Sequence, residues 1–279
     1  MNQQQEHSIS SLCGFFEISR SGYYKSIQER IQEGYSKEMI AKLVMEQKRI
    51  MPRIGGKKLH HILRPDIERL GILLGRDKFF DILREYGLLV EPKKRFDRTT
   101  NSYHRFHVYK NLVKDVKICK PHQVWVSDIT YIRTGHRKFV YLFLITDACS
   151  RKIVGWHLSN SLAIEGALLA LKMAIKQCPD TKELIHHSDR GIQYCCKDYV
   201  CLLKKNNIQI SMTEENHCYE NSMAERVNGI LKDEFMLDAE FKDETQALKA
   251  VKQAINTYNT VRPHWSLNLS TPQQVHSAA

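Results

Sequence analysis

The chain has eight cysteines but no pattern that would use them together. None stands in a C-x-x-C, Cys195 and Cys196 are adjacent, and no His and Cys quartet has zinc-finger spacing. That excludes a disulfide or zinc framework and leaves reduced, mostly buried thiols of a cytosolic protein. No apolar run reaches the roughly 18 residues that a membrane span needs. The opening Met1-Asn2-Gln3-Gln4-Gln5-Glu6 is polar where a signal peptide would be apolar, so a cytoplasmic protein without membrane attachment is expected. No Walker loop is present, so no nucleoside triphosphate is implied. No heptad run is present either. An apolar share of 42% is enough for a packed core, and 279 residues suit two or three modules.

Charge is unevenly placed. The net charge is +11; residues 1–120 carry 24 Lys and Arg against 14 Asp and Glu, whereas residues 121–279 carry 18 against 17. The basic excess therefore sits at the front, as suits binding to a polyanion, and precedes a near-neutral region. Solubility alone is the plainer alternative.

Three carboxylates stand out in that second region. Asp128 lies mid-strand in Val124-Trp-Val-Ser-Asp-Ile-Thr-Tyr131, where aspartate is disfavoured. Asp189 follows a short apolar strand and precedes Gly191, a turn that can face a crevice. Glu225 opens a helix, with thirty-five residues between it and Asp189. Together they form an all-oxygen set suited to a hard divalent cation. Each has a plainer reading. Asp128 would suit a strand-edge salt bridge, Ser188-Asp-Arg-Gly191 a turn, and Ser222-Met-Ala-Glu225 a capping box. His60 and His61 are adjacent on a helix and point to different faces, which argues against a shared metal.

The spacing and its companion words carry a resemblance. Asp128-Ile-Thr-Tyr131, Ser150-Arg-Lys-Ile-Val-Gly-Trp156, His187-Ser-Asp-Arg-Gly-Ile-Gln-Tyr194, Ala224-Glu-Arg226 with Gly229-Ile-Leu-Lys232, and Tyr258-Asn-Thr-Val-Arg-Pro-His264 occur in fixed order. The chain resembles the DDE-type insertion-sequence transposases of the IS-three family, specifically the catalytic OrfB protein. The resemblance is strong from about Pro121 and weaker before it. It implies an α/β architecture: an RNase H-like core, with a mixed five-stranded sheet and flanking helices, preceded by all-α helix-turn-helix modules.

The pattern along the chain gives the modules. Residues 1–35 read as a helix-turn-helix, with a plain helical hairpin as the alternative. Residues 36–92 read as a second helical module, with helices over 36–50, from Lys57, and over 77–86, capped by Asp77 and stopped by Gly87. Residues 93–120, with Pro92-Lys93-Lys94-Arg95 at their start, read as a basic linker along phosphates or simply in solvent. Residues 121–279 read as the catalytic domain: strands over 124–132, 139–146, 152–158, 184–187 and 208–212, a hairpin turn at Thr134-Gly135-His136, and helices over 162–178, 194–206, 221–235 and 245–259.

The resemblance assigns roles. Asp128, Asp189 and Glu225 would hold two Mg²⁺ or Mn²⁺ ions for cleavage of double-stranded DNA at element ends and transfer of the freed 3′-hydroxyl to target DNA. Asp147 would lie beside this triad without joining it. Lys232, Arg20, Lys25, Lys57, Lys58 and Arg262 would contact DNA, with bracing of the catalytic helix as the other reading of Arg262. Partners would be element and target DNA, further copies of the chain in a synaptic complex, and an upstream OrfA segment. The alternatives are a catalytically idle DNA-binding repressor of the same fold and an RNase H-type nuclease.

Overall fold

The computed structural model describes residues 8–91, 107–114, 116–135, 138–214 and 221–278. Two units emerge: residues up to Gln47 with Leu59–Leu89, and Lys48–Lys58 with Val90–Ala279. In the first, α1 (Ile9–Phe15) starts where the Ser8 hydroxyl accepts from Ser11 N at 3.2 Å. The second helix, α2, runs unbroken over Arg20–Ile50, where the sequence reading had separate helices ending near 28 and starting at 36. Gly34 weakens a helix by only about 1 kcal/mol relative to alanine. The ion pairs Glu33–Lys37 at 3.5 Å and Glu38–Lys42 at 2.9 Å span and follow it. The remaining helices are α3 (Gly56–Arg69) and α4 (Arg76–Glu85).

The cap expected at Asp77 is Gly75; Asp77 sits in the first turn instead, 2.8 Å from Arg76. Gly87 does stop α4: its φ of +62° lets Leu88 N reach Leu83 O at 2.7 Å. The apolar stripes converge in buried Ile40, Val44, Leu63, Ile67, Phe79 and Leu83. His60 belongs to this packing, its ring 5.1 Å from that of Phe79.

The second unit is built on β1 (Val124–Thr134), β2 (Lys138–Asp147), β3 (Ile153–Ser159), β4 (Ile185–Ser188) and β5 (Gln209–Met212), in the sheet order β3-β2-β1-β4-β5. The first three strands are antiparallel, and β4 and β5 run parallel to β1. Between and after them come α5 (Ile164–Gln177), the short α6 (Ile192–Cys195), α7 (Lys197–Lys205), α8 (Ser222–Glu234), α9 (Glu244–Thr260) and α10 (Pro272–Ser277). This is the expected RNase H-like arrangement. Of the expected hairpin turn, His136 lies outside the described residues.

Side-chain alternation on β1 separates two cores. Trp125 joins one with Phe143, Leu171, Tyr199 and Met212, under α5 and α7. Gly155 lets α5 approach, since a Cβ there would stand 2.3 Å from Ala170 O. Val124 and Val126 join the other core with Ile185 and Ala224 of α8. Asp128, two residues on, therefore lies on the α8 face.

The second half of the segment read as a basic linker is packed rather than solvated. Val108 and Tyr109 lie against the first core, Val113, Val116 and Ile118 against the second, and Leu112 N donates to Ser211 Oγ at 2.9 Å. It thus crosses from one face of the sheet to the other and touches the edge strand β5 at Ser211. Pro92-Lys93-Lys94-Arg95 lies outside the described residues.

Candidate active site

Asp128 sits on β1, which is central in the sheet, so the strand-edge salt bridge does not apply. Its Oδ2 accepts from Asn228 Nδ2 at 2.7 Å and its Oδ1 from Ile129 N at 2.9 Å. Burial pushes this carboxyl up to about 7, with the charge of Asp189 adding to it. The two hydrogen bonds pull the other way, and Glu225 adds a smaller upward push.

Asp189 follows β4, which runs parallel to β1 with Ser127 opposite Ser188. Its Oδ1 accepts from Gly191 N at 2.9 Å, so it also makes the turn its plainer reading required. Glu225 lies exposed in the first turn of α8. That helix starts at Ser222 with Asn221 as its cap residue and no side-chain capping bond, so the capping-box alternative is not realised.

Local packing explains how these elements meet. Asn221 Nδ2 donates to Ser127 O at 3.1 Å and ties the start of α8 to β1. On the opposite face, His186 Nε2 lies 2.7 Å from Ser127 Oγ and 2.9 Å from Tyr199 OH. Complete burial pushes His186 down to about 3 and keeps it neutral.

Among the described residues, no three His, Cys, Asp or Glu side chains stand close enough to chelate an ion. The donor chemistry nevertheless fits a hydrated hard cation. The set is all oxygen, and Asp128 bears the repulsion of two other carboxylates. On the same side of the sheet, Asn221 Oδ1 and Asn228 Oδ1 of the α8 start and stripe are buried without a hydrogen-bond partner. Asn228 was missed from sequence. Its signal was position: it lies three residues after Glu225 and four before Lys232, on the stripe those residues share.

Lys232 is half-buried on that stripe. Burial pushes its amine down, while Asp128 and Asp238 pull it up. Arg226 instead lines a groove of about 370 Å³ along α8 with Glu225, Gly229 and Asp233. Arg20, Lys25 and Lys57 are exposed.

Lys58 and Arg262 depart from the expectation of a DNA-facing surface. Arg262 is 3% exposed and donates from Nε and Nη2 to the two Glu234 carboxylate oxygens, each at 2.7 Å. Lys58 Nζ donates to Glu234 Oε1 at 2.6 Å. Burial pulls the Glu234 carboxyl up, but Arg262 and Lys58 outweigh it and hold it low. Both cations are thus spent on the last residue of α8, and Arg262 takes the bracing role. Asp147 lies outside the carboxylate set and is fully buried.

Residues 119–218 and 206–272 each match the integrase core domain family. The insertion element IS600 31 kDa protein of Shigella sonnei is 32% identical over 265 residues, covering 94% of this chain and 96% of that protein. The transposase InsF for insertion sequence IS3A of Escherichia coli K12 is 30% identical, covering 97% of this chain and 94% of that protein. Among solved structures, the HTLV-2 integrase catalytic core domain in complex with magnesium is similar at 18% identity and a TM-score of 0.44, covering 56% of this chain and 97% of that one. No described helix is long and apolar enough to cross a membrane. With relatives matched over nearly its whole length, the chain belongs to the IS3-family transposases and is a polynucleotidyl transferase with an integrase core domain.

Proposed function

We propose that Asp128, Asp189 and Glu225 are the catalytic carboxylates of this transposase and that they hold two Mg²⁺ or Mn²⁺ ions. The carrying observation is the cost the site bears without a cation: Asp128 is pushed up to about 7 by burial and by two neighbouring carboxylates. When bound, such ions activate the attacking hydroxyl and stabilise the leaving 3′-oxygen in an in-line displacement at phosphorus. The protein's own groups supply orientation. Asn228 fixes the Asp128 carboxylate, the turn to Gly191 fixes that of Asp189, and His186 and Tyr199 hold Ser127 from behind.

Lys232, beside Asp128, offers a positive charge to a DNA phosphate. Arg20, Lys25 and Lys57 are further candidates for phosphate contact. The DNA partners are element ends and target, bound by several copies of the chain with an upstream OrfA segment. The modules proposed for this work are residues 1–35 and 36–92 at the front and 121–279 for catalysis.

Asp189→Asn tests the reading. With a labelled duplex carrying the element's own ends, nicking and joining should fall by more than about a hundredfold, while end binding stays within a few-fold. A chelator should stop the wild-type reaction. Full activity of the variant, or of wild type in chelator, would overturn the assignment.

A further inference from the structure

We infer that the outer face of the β1–β2 hairpin is a stacking platform for unpaired bases of DNA, built from Tyr131, Phe139 and Tyr141. Register places the three together. Tyr131 stands opposite Tyr141 and Arg133 opposite Phe139, all on one face by strand alternation. The Tyr131 ring lies 5.2 Å from that of Tyr141 and 6.2 Å from that of Phe139.

The first core ends at this face. Phe143, on the same side of β2 and covered by α5, is 1% exposed, whereas Tyr131 is 43% and Phe139 45% exposed. Large aromatic rings left open in this way mark a binding surface. Charge selects the occupant. From Ile129 to Thr146 the sequence has Arg133, Arg137 and Lys138 and no Asp or Glu at all. Exposed aromatics beside Arg133, on a hairpin segment whose sequence holds no acid, suit a polyanion whose bases can stack. A duplex keeps its bases stacked internally, so the platform selects unpaired strands. Tyr131 is three residues beyond Asp128 on the same strand, about 10 Å along it. By alternation Tyr131 faces the α5 side of the sheet and Asp128 the α8 side, so the platform would hold a strand that passes around the sheet rather than the reacting phosphate itself. This goes beyond the catalytic reading and does not depend on it, because stacking needs neither metal nor carboxylate.

The test is binding by the full chain, in chelator so that no chemistry intervenes, with labelled oligo(dT) and a blunt duplex of equal length compared at one salt concentration. The double variant Tyr131→Ala with Phe139→Ala should bind oligo(dT) on the order of tenfold more weakly and the duplex as wild type does. Tyr131→Trp, which keeps a stacking ring, should retain oligo(dT) binding. Iododeoxyuridine in the strand should photocrosslink to Tyr131 or Phe139 in wild type. Both side chains are exposed, so the variants should melt as wild type does. Should oligo(dT) binding be unchanged in the double variant, should both probes weaken equally, or should the crosslink map elsewhere, the inference is overturned. Loss of strand transfer in Asp189→Asn leaves it intact.

Discussion

Two aspartates on neighbouring strands, Asp128 of β1, proposed above as catalytic, and Asp147 of β2, differ in how their surroundings meet a buried carboxylate. Asp147 is the more deeply buried, at 0% exposure. Its Oδ1 accepts from Ser150 N at 2.7 Å and Ser150 Oγ at 2.8 Å, and its Oδ2 accepts from His122 N at 2.7 Å. Ser150 Oγ lies in turn 2.9 Å from His276 Nδ1 on α10. The charge of Asp147 is thus met by donors from its own turn and the chain entering β1. Asp128 is less buried, yet two of its charged neighbours are carboxylates that repel it, and its nearest side-chain donor carries a second polar atom left unpaired. Burial alone does not mark a candidate site; a buried carboxylate whose neighbours repel its charge does.

Isosteric exchange breaks the comparison most sharply. Asp128→Asn should cut strand joining by more than about a hundredfold and leave the fold intact. Asp147→Asn should do the reverse, because an amide nitrogen would then face a donor. A loss of about 3 kcal/mol in urea denaturation is expected, with end binding and joining by the folded fraction unchanged. Equal activity losses in the two would erase the distinction.

Next in size is the response to pH and metal. The folded-state value of Asp128 is raised, to about 7. The folded protein therefore holds a proton that the unfolded chain has released, and stability falls as pH rises from the ordinary carboxylate range through about 7. In metal-free protein at about pH 8, Asp128→Asn should therefore be more stable than wild type by roughly 2 kcal/mol, allowing for the solvent that reaches this half-buried group. The gain should vanish as pH falls toward the unfolded value. Mg²⁺ should raise the wild-type melting temperature more at about pH 8 than at about pH 5. A pH-independent difference between the two proteins would contradict this origin.

Asn228→Ala removes the side chain that steadies Asp128. The Mg²⁺ concentration for half-maximal joining should rise about tenfold, and a metal titration of the rate checks it. The smallest effect concerns Lys232. Lys232→Ala should weaken end binding a few-fold and Lys232→Arg should keep part of it, since the charge stays. Arg226→Ala, altered on the groove side of α8, serves as the comparison in the same binding assay.

How much of this was legible can be judged residue by residue. The strands followed from alternation, because periodicity of two is a local property, whereas the Asp128, Asp189 and Glu225 triplet was singled out by its spacing together with the companion words that carry the family resemblance. The continuity of α2 was missed because the sequence reading set a module boundary at residue 35, whereas the helix runs through it and Gly34 costs little against the bonds on either side. The packing of residues 107–118 was missed because Val113, Val116 and Ile118 have no regular period; they follow the contour of a core made by other strands.

The sequence by itself determined the family, the order of elements and which carboxylates to compare, since these depend on residue types at fixed spacings. Only the tertiary structure decided the fate of individual charges. Lys58 and Lys57 are neighbours in sequence, yet one is buried against Glu234 and the other is exposed. Arg262 could be read as a DNA contact until the end of α8 was seen to lie against it. Asp147 and Asp128 look alike on their strands until their donors are counted. Charge–charge energies depend on distance and on burial, and both are set by elements far apart in the chain that only folding brings together.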